Sequence, residues 1–187
     1  MKPNKEELER YYRTHESERL IFRNLEEADI DRWIPFFKDE EALAYVGMLS
    51  GPFKGLSNPE RAKAWITKSI NRRKNGMFGQ LAVTEKETGL FLGLGGIIYR
   101  EEPEAYGEWE VAYSLLPEAR GFGYATELAR YFRDWAFANS RVESVVSFVH
   151  INNVASQRVT EKNDMHVDKE LEFFEMPCKL NRVKREK

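Results

Sequence analysis

The feature that most constrains this chain is a strand that closes on a proline and runs, through Arg120-Gly121-Phe122-Gly123-Tyr124-Ala125, into a long amphipathic helix. The strand is WEVAYSLL, Trp109 to Leu116, and Pro117 ends it. Beyond the turn, Ala125, Leu128, Ala129, Phe132, Trp135 and Ala136 recur at steps of three and four, the apolar stripe of one helix. Small residues at 121, 123 and 125 let the backbone approach a ligand closely, and the first amides of a helix have no partner inside it. With the positive helix end and Arg120 beside it, the turn predicts an anion site. A tight strand-to-helix turn without a ligand explains the same glycines equally well.

The elements around the turn read as a mixed α/β chain. Asn4 and Glu7 have capping-box spacing and predict a short N-terminal helix, and RLIFRNL (Arg19 to Leu25) reads as a strand. Pro35 divides the stretch from Asp29 to Val46 into two short helices, and Gly47, Gly51, Pro52 and Gly55 mark a loop. Ser57, Pro59 and Glu60 start a helix that lasts to Gly76. FGQLAVTE and LFLGLGGIIYR then form an antiparallel hairpin, in which Gly93, Gly95 and Gly96 predict a bulge or close backbone approach. VESVVSFV (Val142 to Val149) is a buried strand and Asn152 to Lys162 a helix. Two short strands are expected between Met165 and Leu180, and NRVKREK at 181–187 is expected to be a frayed, basic polar tail.

Composition narrows the function. With 29 Lys plus Arg against 31 Asp plus Glu, the net charge of -2 gives no bulk electrostatic attraction to nucleic acid. Cys178 is the single cysteine, so an internal disulfide and cysteine-type zinc sites are excluded, and no metal is expected. No run of 18 apolar residues occurs, and MKPNKEELERYY lacks the apolar core of a signal peptide, so no membrane contact and a cytoplasmic location are expected. A dinucleotide site would need G-x-G-x-x-G after the first strand and an acid at the end of the next. Here Thr126 stands at the third glycine, Glu143 begins its strand, and the motif follows a hairpin, which disfavours nicotinamide chemistry.

Taken with their flanks, WEVAYSLLPEARGFGYATELARYFRDWAF and VVSFVHINNVASQRVTEKNDM resemble the GNAT superfamily of N-acetyltransferases, most closely the ribosomal-protein N-terminal acetyltransferases. The opening SERLIFRNLEEADIDRW extends the likeness over residues 17 to 165. It implies a central, mostly antiparallel twisted sheet with a splayed strand pair that binds CoA, flanked by helices. Residues 18–180 would form this single domain, with 1–17 as a helical extension.

The resemblance also implies roles. In the family, the amides of an R-G-x-G-x-A loop hold the pyrophosphate of acetyl-CoA, the cosubstrate; here that loop is Arg120, Gly121, Phe122, Gly123, Tyr124 and Ala125, running into Thr126. The strand backbone of Tyr113, Ser114 and Leu115 would pair with pantetheine. Asn153 would contact the pantetheine arm, and the Ser156 hydroxyl would lie near the thioester sulfur. The E-[IVL]-[GA]-Y pattern falls on Glu110, Val111, Ala112 and Tyr113, making Glu110 the candidate base, through water. Strand alternation puts Glu110 on one face with Ala112 and Ser114, and the family comparison points that face to the acceptor. The chain departs from the family in Asn163-Asp164-Met165, where a glycine commonly ends the helix, and in Thr160, where another branch has a tyrosine acid.

The implied chemistry suits these residue types. Only a neutral amine attacks the acetyl carbonyl; at pH 7 roughly one-tenth of an α-amine is neutral, against about one lysine in 2,500. An amide on the splayed strand would stabilise the oxyanion, and Ser156 would donate to the departing sulfur. Each residue has a plainer reading: Asn153 as a helix cap, Ser156 bonded to backbone, Glu110 as a solvated strand residue, His150 as a hydrogen-bonded bystander. Cys178 lacks the neighbours of a nucleophile. Trp33, Trp65, Phe36 and Phe37 either pack or line an acceptor groove. The expectation is direct acetyl transfer to a primary amine, a protein N-terminus or a small molecule, with the oligomeric state open. A CoA-binding sensor or interaction module without turnover is the alternative.

Overall fold

Asn4 accepts the Glu7 amide at 3.0 Å while the Glu7 carboxylate accepts the Asn4 amide at 2.8 Å, and this reciprocal cap starts α1 (Lys5–Tyr11). The computed structural model describes residues 1–49 and 51–186. After α1 come β1 (His15–Glu16), β2 (Leu20–Arg23), α2 (Asp29–Trp33), a 3-10 turn over Ile34–Lys38 that holds Pro35, and α3 (Glu40–Tyr45). Ser57 and Glu60 cap α4 (Asn58–Lys74), and β3 (Leu81–Glu85) and β4 (Phe91–Tyr99) form the expected hairpin. The centre is β5 (Trp109–Leu115), α5 (Tyr124–Asn139), β6 (Ser144–His150) and α6 (Val154–Lys162). The last pair is β7 (His166–Phe173) and β8 (Met176–Lys184).

The strands form one eight-stranded sheet in the order β1-β2-β3-β4-β5-β6-β8-β7. Every neighbouring pair is antiparallel except β5 and β6, which run parallel and share a single register position, Glu110 with Val146. Ser147 Oγ donates to the Val111 carbonyl at 2.7 Å just beyond it, and from there the two strands diverge.

Glycine lets β4 carry this geometry. Gly93 and Gly96 have φ of +146° and +142°, and a Cβ on Gly93 would stand 2.3 Å from the Ser114 carbonyl oxygen. At Gly96 the space a Cβ would need is filled by the Tyr11 hydroxyl, which accepts the Ile97 amide at 2.7 Å and donates to the Gly79 carbonyl at 2.8 Å. The helix of the N-terminal segment thus places one fully buried aromatic against the middle of the sheet.

The tail departs from expectation. Asn181 to Lys184 do not fray but complete β8, which inserts between β6 and β7. Their polar side chains are matched: Arg182 forks onto Glu108 at 2.6 and 3.1 Å, and Arg185 donates to the carbonyls of Phe137, Ser140 and Val142. A basic composition signals solvent exposure only when no acceptors await it; here they lie on distant segments. Lys187 lies outside the described residues.

Asp29, at the start of α2, is wholly buried and ties β2 to that helix. It accepts from Arg23 at 2.7 and 2.8 Å, from Arg32 at 2.8 Å and from the Glu26 amide at 3.1 Å. Burial would raise its proton affinity, but these donors outweigh it and hold the carboxyl below the ordinary range. Asp29→Asn should cost about 3 kcal/mol at pH 7, the low end for a broken buried pair, because both arginines keep contact with water. Since folding lowers the pKa, the contribution is complete above the unfolded value of about 4 and is lost as pH falls through the folded one. Urea denaturation should therefore separate the two proteins at pH 7 and bring them together as pH falls well below that unfolded value.

Candidate active site

The divergence of β5 and β6 opens a cavity of about 480 Å³. Residues Glu110 to Ser114 of β5 and Ser147 to Val149 of β6 form its floor, and Ser156 of α6 joins them. The opposite wall comes from α4, the loop after α3 and the β7–β8 turn.

Beside the divergence, the glycine turn has the geometry that its sequence required. Gly121 and Gly123 have φ of +86° and +83°, and Gly123 is the residue before α5. No side chain caps this helix, and the first helical bond back to the turn is Glu127 N to Gly123 O at 3.1 Å. Phe122 is exposed, and the Tyr124 hydroxyl donates to Glu85. Arg120 is engaged elsewhere, pairing with Asp39 and donating to the Leu115 carbonyl at 3.1 Å, so its guanidinium braces the turn against α3. Ala125 and Thr126 lie in the first turn of α5.

Arg19 was missed by sequence reasoning. Its guanidinium donates to the Phe122 carbonyl at 2.9 Å and to Glu127 at 2.7 Å, and it lies over the Tyr124 ring at 4.7 Å. One arginine from the start of the domain thus fixes the turn from below. Its distance in sequence, and the ordinary look of an exposed arginine before a strand, left no signal.

Asn153 does cap α6, accepting the Ser156 amide at 3.0 Å, which leaves its side-chain NH2 for other partners. Ser156 sits in the first turn of that helix and lines the cavity. The Tyr113 hydroxyl is buried without a hydrogen-bond partner. Burial pushes the Tyr113 phenol up to about 12, opposed by the nearby Ser156 hydroxyl, so it stays protonated at neutral pH and can offer a hydrogen bond. Ser114 is buried, and Leu115 lies where β5 ends next to the glycine turn.

Glu110 is not a solvated strand residue: it is 4% exposed and pairs with Arg100 of the facing β4 end. Burial raises its carboxyl above the usual range, while the Arg100 charge and hydrogen bond oppose the rise. The second carboxylate on Arg100 is Glu102, at 3.3 Å. Burial and the Glu110 charge push the Cys178 thiol up to about 11, which leaves it inert as a nucleophile. His150 accepts the Asn152 amide at 3.1 Å, and Thr160 donates to the Gln157 carbonyl at 2.7 Å; both serve local structure. Trp33, Phe36 and Phe37 are core, with Trp33 stacked on Phe36 at 4.3 Å, whereas Trp65 reaches the cavity and donates to Gln80 at 2.7 Å. Where glycine commonly ends the helix after α6, Asp164 takes φ of +59° and Asn163 is buried against the Val159 carbonyl.

Residues 19–166 match the family model of the acetyltransferase (GNAT) domain. A curated relative, the uncharacterized protein YkkB of Bacillus subtilis (strain 168), is 27% identical over 141 residues, covering 75% of this chain and 77% of its own. The acetyltransferase from Agrobacterium tumefaciens str. C58 superposes with a TM-score of 0.73 at 27% identity, over 92% of this chain and 95% of that one. The fold is shared also with Mycobacterium smegmatis RimJ, solved in complex with CoA-disulfide: TM-score 0.70, 16% identity, 88% and 81% of the two chains. With its diverging parallel strands, its glycine turn at the start of α5 and a family match across most of its length, the chain belongs to the GNAT family of acetyltransferases.

Proposed function

We propose that the protein transfers the acetyl group of acetyl-CoA to a primary amine by direct attack, with no covalent enzyme intermediate. The observation that carries this reading is the divergence of β5 from β6 beside the uncapped start of α5, so that a strand edge, a set of helix-end amides and a cavity adjoin. The residues fit the cosubstrate: the turn offers amides and no acidic side chain at its tip, and glycine at 121 and 123 leaves room for phosphate. RimJ of Mycobacterium smegmatis, on the same fold, was solved with a CoA-disulfide, and that likeness supports the assignment.

Acetyl-CoA supplies, when bound, the activated acetyl carbonyl and a thiolate leaving group. The chain's own residues do the rest. The amine nitrogen forms the new N–C bond as the C–S bond breaks. Glu110, with a proton affinity raised by burial, takes up the amine's excess proton through water. Ser156, on the cavity wall, donates a hydrogen bond to the departing sulfur, with the protonated Tyr113 phenol behind it. The departure at Asn163-Asp164-Met165, where a glycine commonly ends the helix, is absorbed by the left-handed backbone at Asp164.

Release of free thiol from acetyl-CoA should depend on an added amine, and Gly123→Asp, which adds bulk and negative charge at the turn, should weaken acetyl-CoA binding in calorimetry while circular dichroism stays native. Ser156→Ala should lower kcat about ten- to a hundredfold, more than it raises KM for acetyl-CoA; unchanged kcat would reduce Ser156 to a structural role. Glu110→Gln should keep cofactor binding yet lose kcat/KM most at pH 6–7, and recover toward pH 9.5 as water takes over deprotonation of the amine. Parallel pH profiles would remove Glu110 from the reaction.

A further inference from the structure

Three cations line the far wall of the cavity, and they differ in how directly they are paired. Lys68 and Arg72 come from α4 and Arg100 from the end of β4, and all three line the space. Arg100 is matched, holding Glu110 and Glu102. Arg72 spends its donors on the carbonyls of Phe78 and Tyr99, which orient it without cancelling its charge. Among the described residues Lys68 has neither an ion pair nor a side-chain hydrogen bond, and its ammonium lies 5.7 Å from the centre of the Phe174 ring. The remaining carboxylate on the cavity is Glu175, exposed at the β7–β8 turn.

The turn that brings Phe174 to Lys68 is strained. Phe174 and Glu175 have φ of +51° and +60°, a left-handed pair that ordinarily calls for asparagine and glycine. A bulky aromatic in that region is disfavoured and persists where the surroundings impose it, often at ligand clamps. Burial and the Arg100 charge hold the Lys68 ammonium below the ordinary lysine range, against the opposing pull of the more distant Glu102 carboxylate, as expected for a cation with no direct ion pair. A second ammonium entering this space would add to the repulsion; a carboxylate or phosphate would relieve it.

We propose that the acceptor is a primary amine that also carries an anionic group, a carboxylate or phosphate a few bonds from the nitrogen, and that Lys68 binds this anion with Arg72 beside it. This rests on the acetyl-transfer reading above and names the substrate class for the same cavity. Glu110 then faces the amine and Lys68 the anion, so the cavity discriminates by the separation of two opposite charges. The anion can belong to a free amino acid-like molecule or to an acidic side chain at the second position of a peptide.

Thiol release from acetyl-CoA should be compared for ethanolamine phosphate, β-alanine, ethanolamine and putrescine, and for tetrapeptides with Asp, Ala or Lys at position two. The acidic member of one set or the other should exceed its neutral counterpart at least tenfold in kcat/KM, the size of one charge-assisted contact; the set in which this occurs identifies the source. Lys68→Gln should remove most of that preference and Lys68→Arg should retain it. Equal or better turnover of the neutral and dicationic amines, or a preference untouched by Lys68→Gln, would overturn the proposal while leaving acetyl transfer intact. If acetyl-CoA binds but no amine turns over, calorimetry on the CoA-saturated protein decides: ethanolamine phosphate binding in preference to ethanolamine, lost in Lys68→Gln, supports it, and no preference refutes it. Failure to bind acetyl-CoA at all would overturn the acetyl-transfer reading, and this inference with it.

Discussion

Two neighbouring strands that stop pairing leave backbone donors and acceptors exposed inside a protein, and such groups must find other partners. In this chain β5 and β6 part after Glu110 and Val146, and the Ser147 hydroxyl satisfies the Val111 carbonyl at the fork. The rest of the architecture manages that fork. On one side β4 keeps β5 paired along its whole length, from Trp109 to Leu115. On the other, β8 pairs with β6 from Ser144 to His150, so each arm is held by its outer neighbour. The cavity is the space between two strands that are each secured from behind.

Securing the arms places unusual demands on side chains near them. Gly93 must be glycine because the Ser114 backbone occupies the place of a Cβ, and Gly95 because Leu128 of α5 does. The Glu110 carboxylate, at the fork itself, is buried against the guanidinium of Arg100, the residue that follows β4. A buried pair of this kind adds little net stability over apolar packing, but removing either partner leaves an uncompensated charge. Its retention fits a site that needs a carboxylate with raised proton affinity more than it fits a need for cohesion.

Much of this was legible in the sequence wherever the signal was local. Asn4 with Glu7 and Ser57 with Glu60 announced helix starts, and Gly121 and Gly123 announced a turn that only left-handed backbone can make. The strand of alternating and continuous apolar residues before that turn was equally plain. What escaped was carried by contacts between distant segments. Arg19 under the glycine turn, Asp29 between two arginines and Arg100 on Glu110 are single charged residues whose meaning depends on a partner that only folding supplies. The final strand was hidden for a further reason: NRVKREK reads as solvent-facing, and the turn before β8 uses Phe174 and Glu175 where no glycine or asparagine marks a bend.

That unmarked turn bears on how the protein reaches its native state. β7 contacts the sheet through β8, and β8 is inserted between β6 and β7, so a chain-adjacent hairpin has to form and then add itself edge-on to an already folded strand. A hairpin closed by two strained left-handed residues nucleates poorly in isolation, and its docking supplies what its turn lacks. The cavity wall that holds Phe173, Phe174 and Cys178 therefore depends on the docking of that hairpin onto β6.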